Sequence, residues 1–308
     1  MSASYAFLGP AGTFAHAAAR QLAGSSAIDL VAHASVTQAI DALLAGAVEA
    51  AVVPLENSVE GAVPATLDAL TGEAPMVILA ETFLPVVFDL MARPGTGLDG
   101  IRTVATHPHA EAQVRRYLLS QLPGAEVALV GSTAGGAQAV AAGDYDAAVA
   151  PVSSAQLYGL DTLAHDIADN PGAVTRFVLL GRPQPASAPT GNDRTTLVTY
   201  LLADHSGALL QILTEFAARG INLTRIESRP TKGQLGQYCF SLDCEGHIAD
   251  ARVADALAAL YRICASVRYL GSYPRQDGRQ SPVIAGFSDQ NFTQAASWLA
   301  RIRQHGTA

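Results

Sequence analysis

An α/β domain followed by a small βαββαβ module is the architecture this sequence predicts. Three observations carry the prediction. Over residues 1–181, short apolar runs of strand character alternate with alanine-rich segments of helical character. Residues 182–193, RPQPASAPTGND, interrupt that rhythm with three prolines, small residues and no apolar period, so they read as a linker. Residues 194–274 then follow the order strand, helix, strand, strand, helix, strand, which is the ferredoxin-like arrangement.

Within the first domain the strand candidates are YAFLG (5–9), AAVVP (50–54), VVFDLMA (86–92), IRTVATH (101–107), EVALVG (126–131), DAAVAP (146–151) and RFVLLG (176–181). Helical candidates lie between them at 13–24, 35–46, 108–122 and 133–143. Strands as apolar as AAVVP and DAAVAP suit largely parallel sheets covered on both faces. In the second module, RTTLVTYLLAD (194–204), NLTRIESRP (222–230), QYCFSLDCEG (237–246) and VRYLGSYP (267–274) read as strands. GALLQILTEFAARG (207–220) and ADARVADALAALYRIC (249–264) read as amphipathic helices. The tail, 275–308, is polar and then weakly helical around Trp298, with no role legible in it.

Composition narrows the function. The chain has 308 residues, 49% hydrophobic and 15% charged, enough for two domains with their own cores. Its net charge of −8, with 19 Lys and Arg in no long basic run, argues against nucleic-acid binding. No apolar stretch reaches membrane-spanning length, and no basic segment precedes YAFLG as in a signal peptide. Cys239, Cys244 and Cys264 lack CxxC spacing and read as reduced packing residues of a cytoplasmic protein. The histidines form no HExxH or His/Cys cluster, so no metal and no cofactor are expected.

Several short stretches carry polar groups to the ends of predicted strands, where α/β sheets bind ligands. GPAGTF (9–14) joins a strand to a helix, with glycines that let a ligand approach and free amides that favour an anion. Taken alone it reads more readily as a plain strand-to-helix turn. In VVPLENSVEGAVPATLDAL (52–70), Glu56, Asn57, Ser58 and Glu60 sit between an apolar strand and a helix; helix capping is the simpler reading. GSTAGG (131–136) repeats the pattern with Ser132 and Thr133. GTGLDG (95–100) matches GxGxxG but precedes a strand and opens no helix, which excludes a dinucleotide site. In HPH (107–109), His109 begins a helix and reads as a capping or surface residue. Thr175, Arg176 and Phe177 place a hydroxyl, a guanidinium and a ring in succession.

GPAGTF, VVPLENSVEG, HPHAEAQ, AAVAPVSSAQLYGL and DNPGAVTRF occur in the order found in prephenate dehydratases, which the chain resembles over residues 4–274. GALLQIL and ESRP resemble the ACT regulatory domain that follows such catalytic domains. The resemblance implies a catalytic domain at 1–181 with two lobes like a periplasmic binding protein, the second spanning about 83–159, then a linker at 182–193 and an ACT domain at 194–274. The chain starts at the first dehydratase strand without a chorismate mutase segment, so a monofunctional enzyme is implied. Gly172 and Ala173 stand where many relatives carry asparagines.

Prephenate loses its ring hydroxyl and CO2 to give phenylpyruvate, with aromatisation as the driving force. The resemblance implies that Thr175 hydrogen-bonds the leaving oxygen, with Glu56 as the alternative proton donor if burial raises its pKa. Arg176 would anchor a carboxylate and Phe177 wall the pocket, joined by Thr13, Phe14, Asn57, Ser58, Ser132, Thr133 and Asn170. Strand alternation complicates this, since Thr175 and Phe177 share a face and Arg176 points away, as a structural residue would. Gly207, Ala208, Leu209, Asn222, Leu223, Glu227 and Ser228 would line an L-phenylalanine site between paired ACT domains. The implied assembly is a homo-oligomer, dimer or tetramer. Arogenate is a second candidate substrate. A non-catalytic sensor of amino acids or aromatic acids is the alternative from another class.

Overall fold

The computed structural model describes residues 3–231 and 238–306. The chain forms two compact units: Met1–Thr66 with Thr82–Leu180, and Leu67–Glu81 with Gly181–Ala308.

The first half of the chain runs β1 (Ser4–Leu8), α1 (Phe14–Ala23), β2 (Asp29–His33), α2 (Val36–Leu44), β3 (Ala50–Asn57), β4 (Gly61–Ala62), α3 (Pro64–Leu70) and β5 (Val77–Pro85). It continues with β6 (Asp89–Ala92), β7 (Thr103–Thr106), α4 (Pro108–Gln121), β8 (Glu126–Leu129), α5 (Thr133–Ala142), β9 (Ala147–Ala150), α6 (Val152–Tyr158), β10 (Asp161–Ala164) and β11 (Val174–Gly181).

Two sheets result. The first has the order β2-β1-β3-β11-β5, with β4 paired on β3; the second has the order β10-β6-β9-β7-β8. Helix starts follow local chemistry: Thr13, Ser35 and Ser132 accept from backbone amides as N-caps of α1, α2 and α5, and Pro108 opens α4. Helix α2 buries Val36, Ala39, Ile40 and Leu43, the i, i+3, i+4, i+7 stripe of a one-sided helix. Ala147, Ala148, Val149 and Ala150 of β9 are all 0% exposed, so both faces of that strand are covered.

The sheets are more mixed than the strand–helix alternation suggests. Strand β7 is parallel to β8 and β9, but β6 runs antiparallel to β9, and β10 antiparallel to β6. Strand β6 follows β5 through Val86–Phe88 with no crossover helix, so nothing forces it parallel. The second lobe also extends past residue 159, because β10 closes its edge on β6.

The C-terminal module contains β12 (Asp193–Tyr200), α7 (Ala208–Ala217), β13 (Leu223–Pro230), β14 (Tyr238–Glu245), α8 (Ala251–Ile263) and β15 (Ser266–Pro274). Gln237, the expected first residue of β14, lies outside the described residues. All three pairings in the order β13-β14-β12-β15 are antiparallel, and Leu197, Ile212, Phe216, Leu242, Val253 and Leu260 form the core. The tail closes on this module: Arg275 is 5% exposed and donates to Glu245 at 2.6 Å, and Asp289 accepts from the Ala251 amide at the start of α8. Helix α9 (Asp289–His305) completes the chain.

Candidate active site

Strands β3 and β11 are neighbours, and their alternation sorts the side chains of the two most polar stretches. Their ends are stitched by Ser58, whose amide donates to the Val174 carbonyl at 2.9 Å and whose Oγ accepts from the Val174 amide at 2.9 Å. On one face, Asn57 Nδ2 donates to Thr175 Oγ1 at 2.8 Å. On the other, Arg176 Nη1 donates to Glu56 Oε1 at 3.2 Å. The first pair opens onto a cleft of about 270 Å³; the second does not.

The cleft is walled by Leu8, Phe14, Val86, Phe88, Ala110 and Phe177, an apolar lining suited to a ring. Phe14 and Phe88 meet edge to face with centroids 5.6 Å apart. Its polar groups are Thr13, Asn57, Glu60, His107, His109, Gln113, Ser132, Thr133 and Thr175. Among the described residues lining it there is no Lys or Arg. An anion therefore meets the positive ends of α1, α4 and α5, all of which start at this cleft.

Asn57 is itself fixed, since its Oδ1 accepts from the amides of Val59 and Glu60 at 2.8 and 3.2 Å. The side-chain amide is therefore oriented to donate to Thr175. Thr175 is 9% exposed and lines the cleft, and with Asn57 donating to its oxygen its own O–H is available to a ligand there. Thr13 caps α1, accepting from the His16 amide at 3.2 Å while its hydroxyl lies 3.0 Å from the Pro10 carbonyl. Ser132 caps α5 by accepting from the Gly135 amide at 2.9 Å.

Several expected residues are not brought to the cleft. Arg176 is 2% exposed beneath the sheet, and Glu56 faces it there. Ser58 ties strand ends together, and Asn170 is exposed outside the lining. Gly172 has φ +86°, a region open to glycine and, among side chains, most readily to asparagine. Ala173 does not line the cleft but backs its wall, packing in the core cluster of Val86 and Phe88 and accepting from the Val86 amide at 2.7 Å.

Four polar cleft residues stand outside the expected site: Glu60, singled out only within its stretch, His107 and His109 of the HPH run, and Gln113. Glu60 Oε1 accepts from Gln113 Nε2 at 3.0 Å, and its Oε2 lies 2.5 Å from His109 Nδ1. His109 and Gln113 are four apart on α4 and so share a face, a spacing visible in HPHAEAQ. His107 Nδ1 accepts from the His109 amide at 3.2 Å and caps α4. Partial burial and the neighbouring His109 lower the pKa of His107, while Glu60 opposes the shift. No group of three or more metal-ligating side chains gathers among the described residues.

In the C-terminal unit, Gly207, Ala208 and Leu209 stand at the start of α7, whereas Asn222 and Leu223 follow its end. A ten-residue helix separates the two groups by about 15 Å. Glu227 and Ser228 lie further along β13.

Comparison with known proteins follows the same division of the chain. The prephenate dehydratase family matches residues 5–185, and the ACT domain family matches residues 195–260. A curated prephenate dehydratase of Amycolatopsis methanolica is 48% identical over 300 residues, 97% of each chain. The crystal structure of prephenate dehydratase from Arthrobacter aurescens in complex with L-Phe superposes with a TM-score of 0.91 at 46% identity, covering 98% of this chain and 99% of that one. A structure described as GqqA, a novel type of quorum quenching acylase, gives a TM-score of 0.81 at 32% identity over 90% of this chain and all of that one. With this match on top of the cleft geometry, the chain belongs to the prephenate dehydratase family, as a dehydratase domain joined to a C-terminal ACT domain.

Proposed function

We propose that the cleft between the two sheets performs the decarboxylating dehydration of prephenate, with Thr175 acting on the leaving hydroxyl. The observation that carries this is the Asn57–Thr175 hydrogen bond at 2.8 Å on the cleft face. It holds the threonine oxygen and leaves its O–H free to donate to the ligand. Threonine is too weak an acid to give up its proton outright, so it orients and polarises the departing oxygen. Glu56, held against Arg176 on the far face, is poorly placed to be the donor. Glu60 and His109, 2.5 Å apart, form the titratable pair of the same cleft. The carboxylate that leaves as CO2 sits against the apolar wall, where its charge is poorly solvated and its dispersal is favoured. The helix starts hold the carboxylate that stays.

For regulation, we read the ACT domain as an L-phenylalanine sensor. The Arthrobacter relative was crystallised with L-Phe, and residues 207–209 at the start of α7 stand a helix length, about 15 Å, from Asn222 and Leu223. A second copy related by a two-fold axis brings one group against the other, so the ligand site and a homodimer go together. Buried free thiols suit the reducing cytoplasm.

Incubating the purified protein with prephenate and recording phenylpyruvate absorbance tests the activity, with L-phenylalanine added in a second series. Absence of product from folded protein would refute the reading. Arogenate in a parallel series ranks the two acids.

A further inference from the structure

Glu60 is out of place in a cleft built for a dianion. Among the described lining residues it is the sole carboxylate, and no Lys or Arg faces it there. Yet its position is built in. Gln113, 7% exposed, holds Oε1 at 3.0 Å, and His109 holds Oε2 at 2.5 Å. Each carboxylate oxygen therefore has a partner from α4 before any ligand arrives.

Resting on the proposed reaction, we infer that the His109–Glu60 pair makes this cleft selective for the 2-oxo acid over its 2-amino analogue, prephenate over arogenate. The two acids share the ring, the leaving hydroxyl and the ring carboxylate. They differ at one group, a keto oxygen in one and an ammonium in the other. An ammonium carries a positive charge with three donors and no acceptor, so a carboxylate is its strongest partner in the cleft. Glu60 is the group able to serve, and His109 occupies it. With His109 protonated the pair is neutral overall. With His109 neutral, its Nδ1–H still fills Oε2. Removing the imidazole makes the cleft more negative in the first state and strips the Glu60 carboxylate of its donor in the second, so the anion stands bare to a ligand in both. That change repels a dianion and attracts an ammonium, so both effects move the preference in one direction.

The measurement is kcat/KM for both acids with the full chain, in wild type, His109→Ala, Glu60→Gln and the double variant. Any part the pair plays in proton transfer cancels in the ratio, because the leaving group is common to both substrates. The arogenate-to-prephenate ratio should rise about tenfold in His109→Ala, a modest factor because both side chains are partly solvated. It should not rise in Glu60→Gln or in the double variant. An unchanged ratio in His109→Ala overturns the inference, as does a rise that persists without the Glu60 carboxylate. If turnover of a variant is too slow to measure, calorimetric dissociation constants for the two acids give the same ratio. His109→Leu, closer in volume, repeats the test if the alanine variant folds poorly. A folded wild type that converts neither acid refutes the dehydratase reading itself, a separate result from a flat ratio.

Discussion

Thr175 illustrates how one side chain is made chemically specific by its neighbours. Its hydroxyl is ordinary, but Asn57 donates to its oxygen and leaves its O–H for a ligand in the cleft. Thr175→Val keeps the β-branched shape and should lower kcat by about 10²- to 10⁴-fold with little change in KM, as expected for an interaction made in the transition state. Steady-state kinetics on a variant that still binds L-phenylalanine would show this. Asn57→Ala should lower kcat by roughly tenfold, and less again in a Thr175→Val background, because the two groups act as one. Arg176 behaves differently. It is 2% exposed and pairs with Glu56, so Glu56→Gln should leave KM for prephenate within a few-fold of wild type. Its effect belongs to stability, about 1 kcal/mol in a denaturant titration, a low figure because Glu56 is one-third exposed.

Helix α4 gives the catalytic unit a pH response. His107 caps it through a neutral Nδ1, and burial followed by repulsion from His109 lowers its pKa below the ordinary 6.5. A histidine with a depressed pKa in the folded state contributes stability that is fully present above the unfolded value. That stability is lost as pH falls through the lower folded value. The melting temperature should therefore decline as pH drops below about 6.5, and His107→Gln should flatten that part of the profile. Strand β15 has a different vulnerability. Gly271 sits at φ +126° with the Ile78 backbone against it, so a β-carbon has neither an allowed conformation nor space. Gly271→Ala should destabilise the C-terminal unit by more than about 2 kcal/mol, measured by urea unfolding of that unit's near-ultraviolet signal.

The division of the whole chain changes how regulation should be tested. Residues 67–81 group with the C-terminal unit: Tyr200 Oη donates to the Thr71 carbonyl at 2.6 Å, Arg268 to the Ala74 carbonyl, and Arg194 pairs with Glu81. A chain ended at Pro185 thus strips Glu81, 1% exposed, of its buried cation, an expensive loss. Such a truncated chain should be unstable as well as unregulated. Point substitution in the full chain is the cleaner test. Asn222→Ala, on an exposed side chain, should weaken inhibition by L-phenylalanine several-fold while prephenate kcat/KM stays unchanged; equal inhibition would remove Asn222 from the site.

What the sequence determined by itself was mostly local or periodic. Helices beginning at Thr13, Ser35, Pro108 and Ser132 were legible because caps and apolar spacing act within a few residues. The same holds for β12 to β15 with α7 and α8, and for the linker prolines. Short or mixed elements were not legible: β2 alternates poorly because it lies at a sheet edge, and β5 carries Glu81 within an apolar run. Alternation along β11 correctly separated Thr175 and Phe177 from Arg176, since a strand's period needs no knowledge of its partner. It could not tell that Glu56 would fall on the Arg176 face, which depends on the register of β3 against β11. Nor could it join Glu60 to His109 and Gln113, some fifty residues away. The tail was equally opaque, because Arg275 reaches Glu245 on β14 and Asp289 the start of α8, partners distant in sequence. Contacts of that kind are chosen by packing, and packing is set by the fold as a whole.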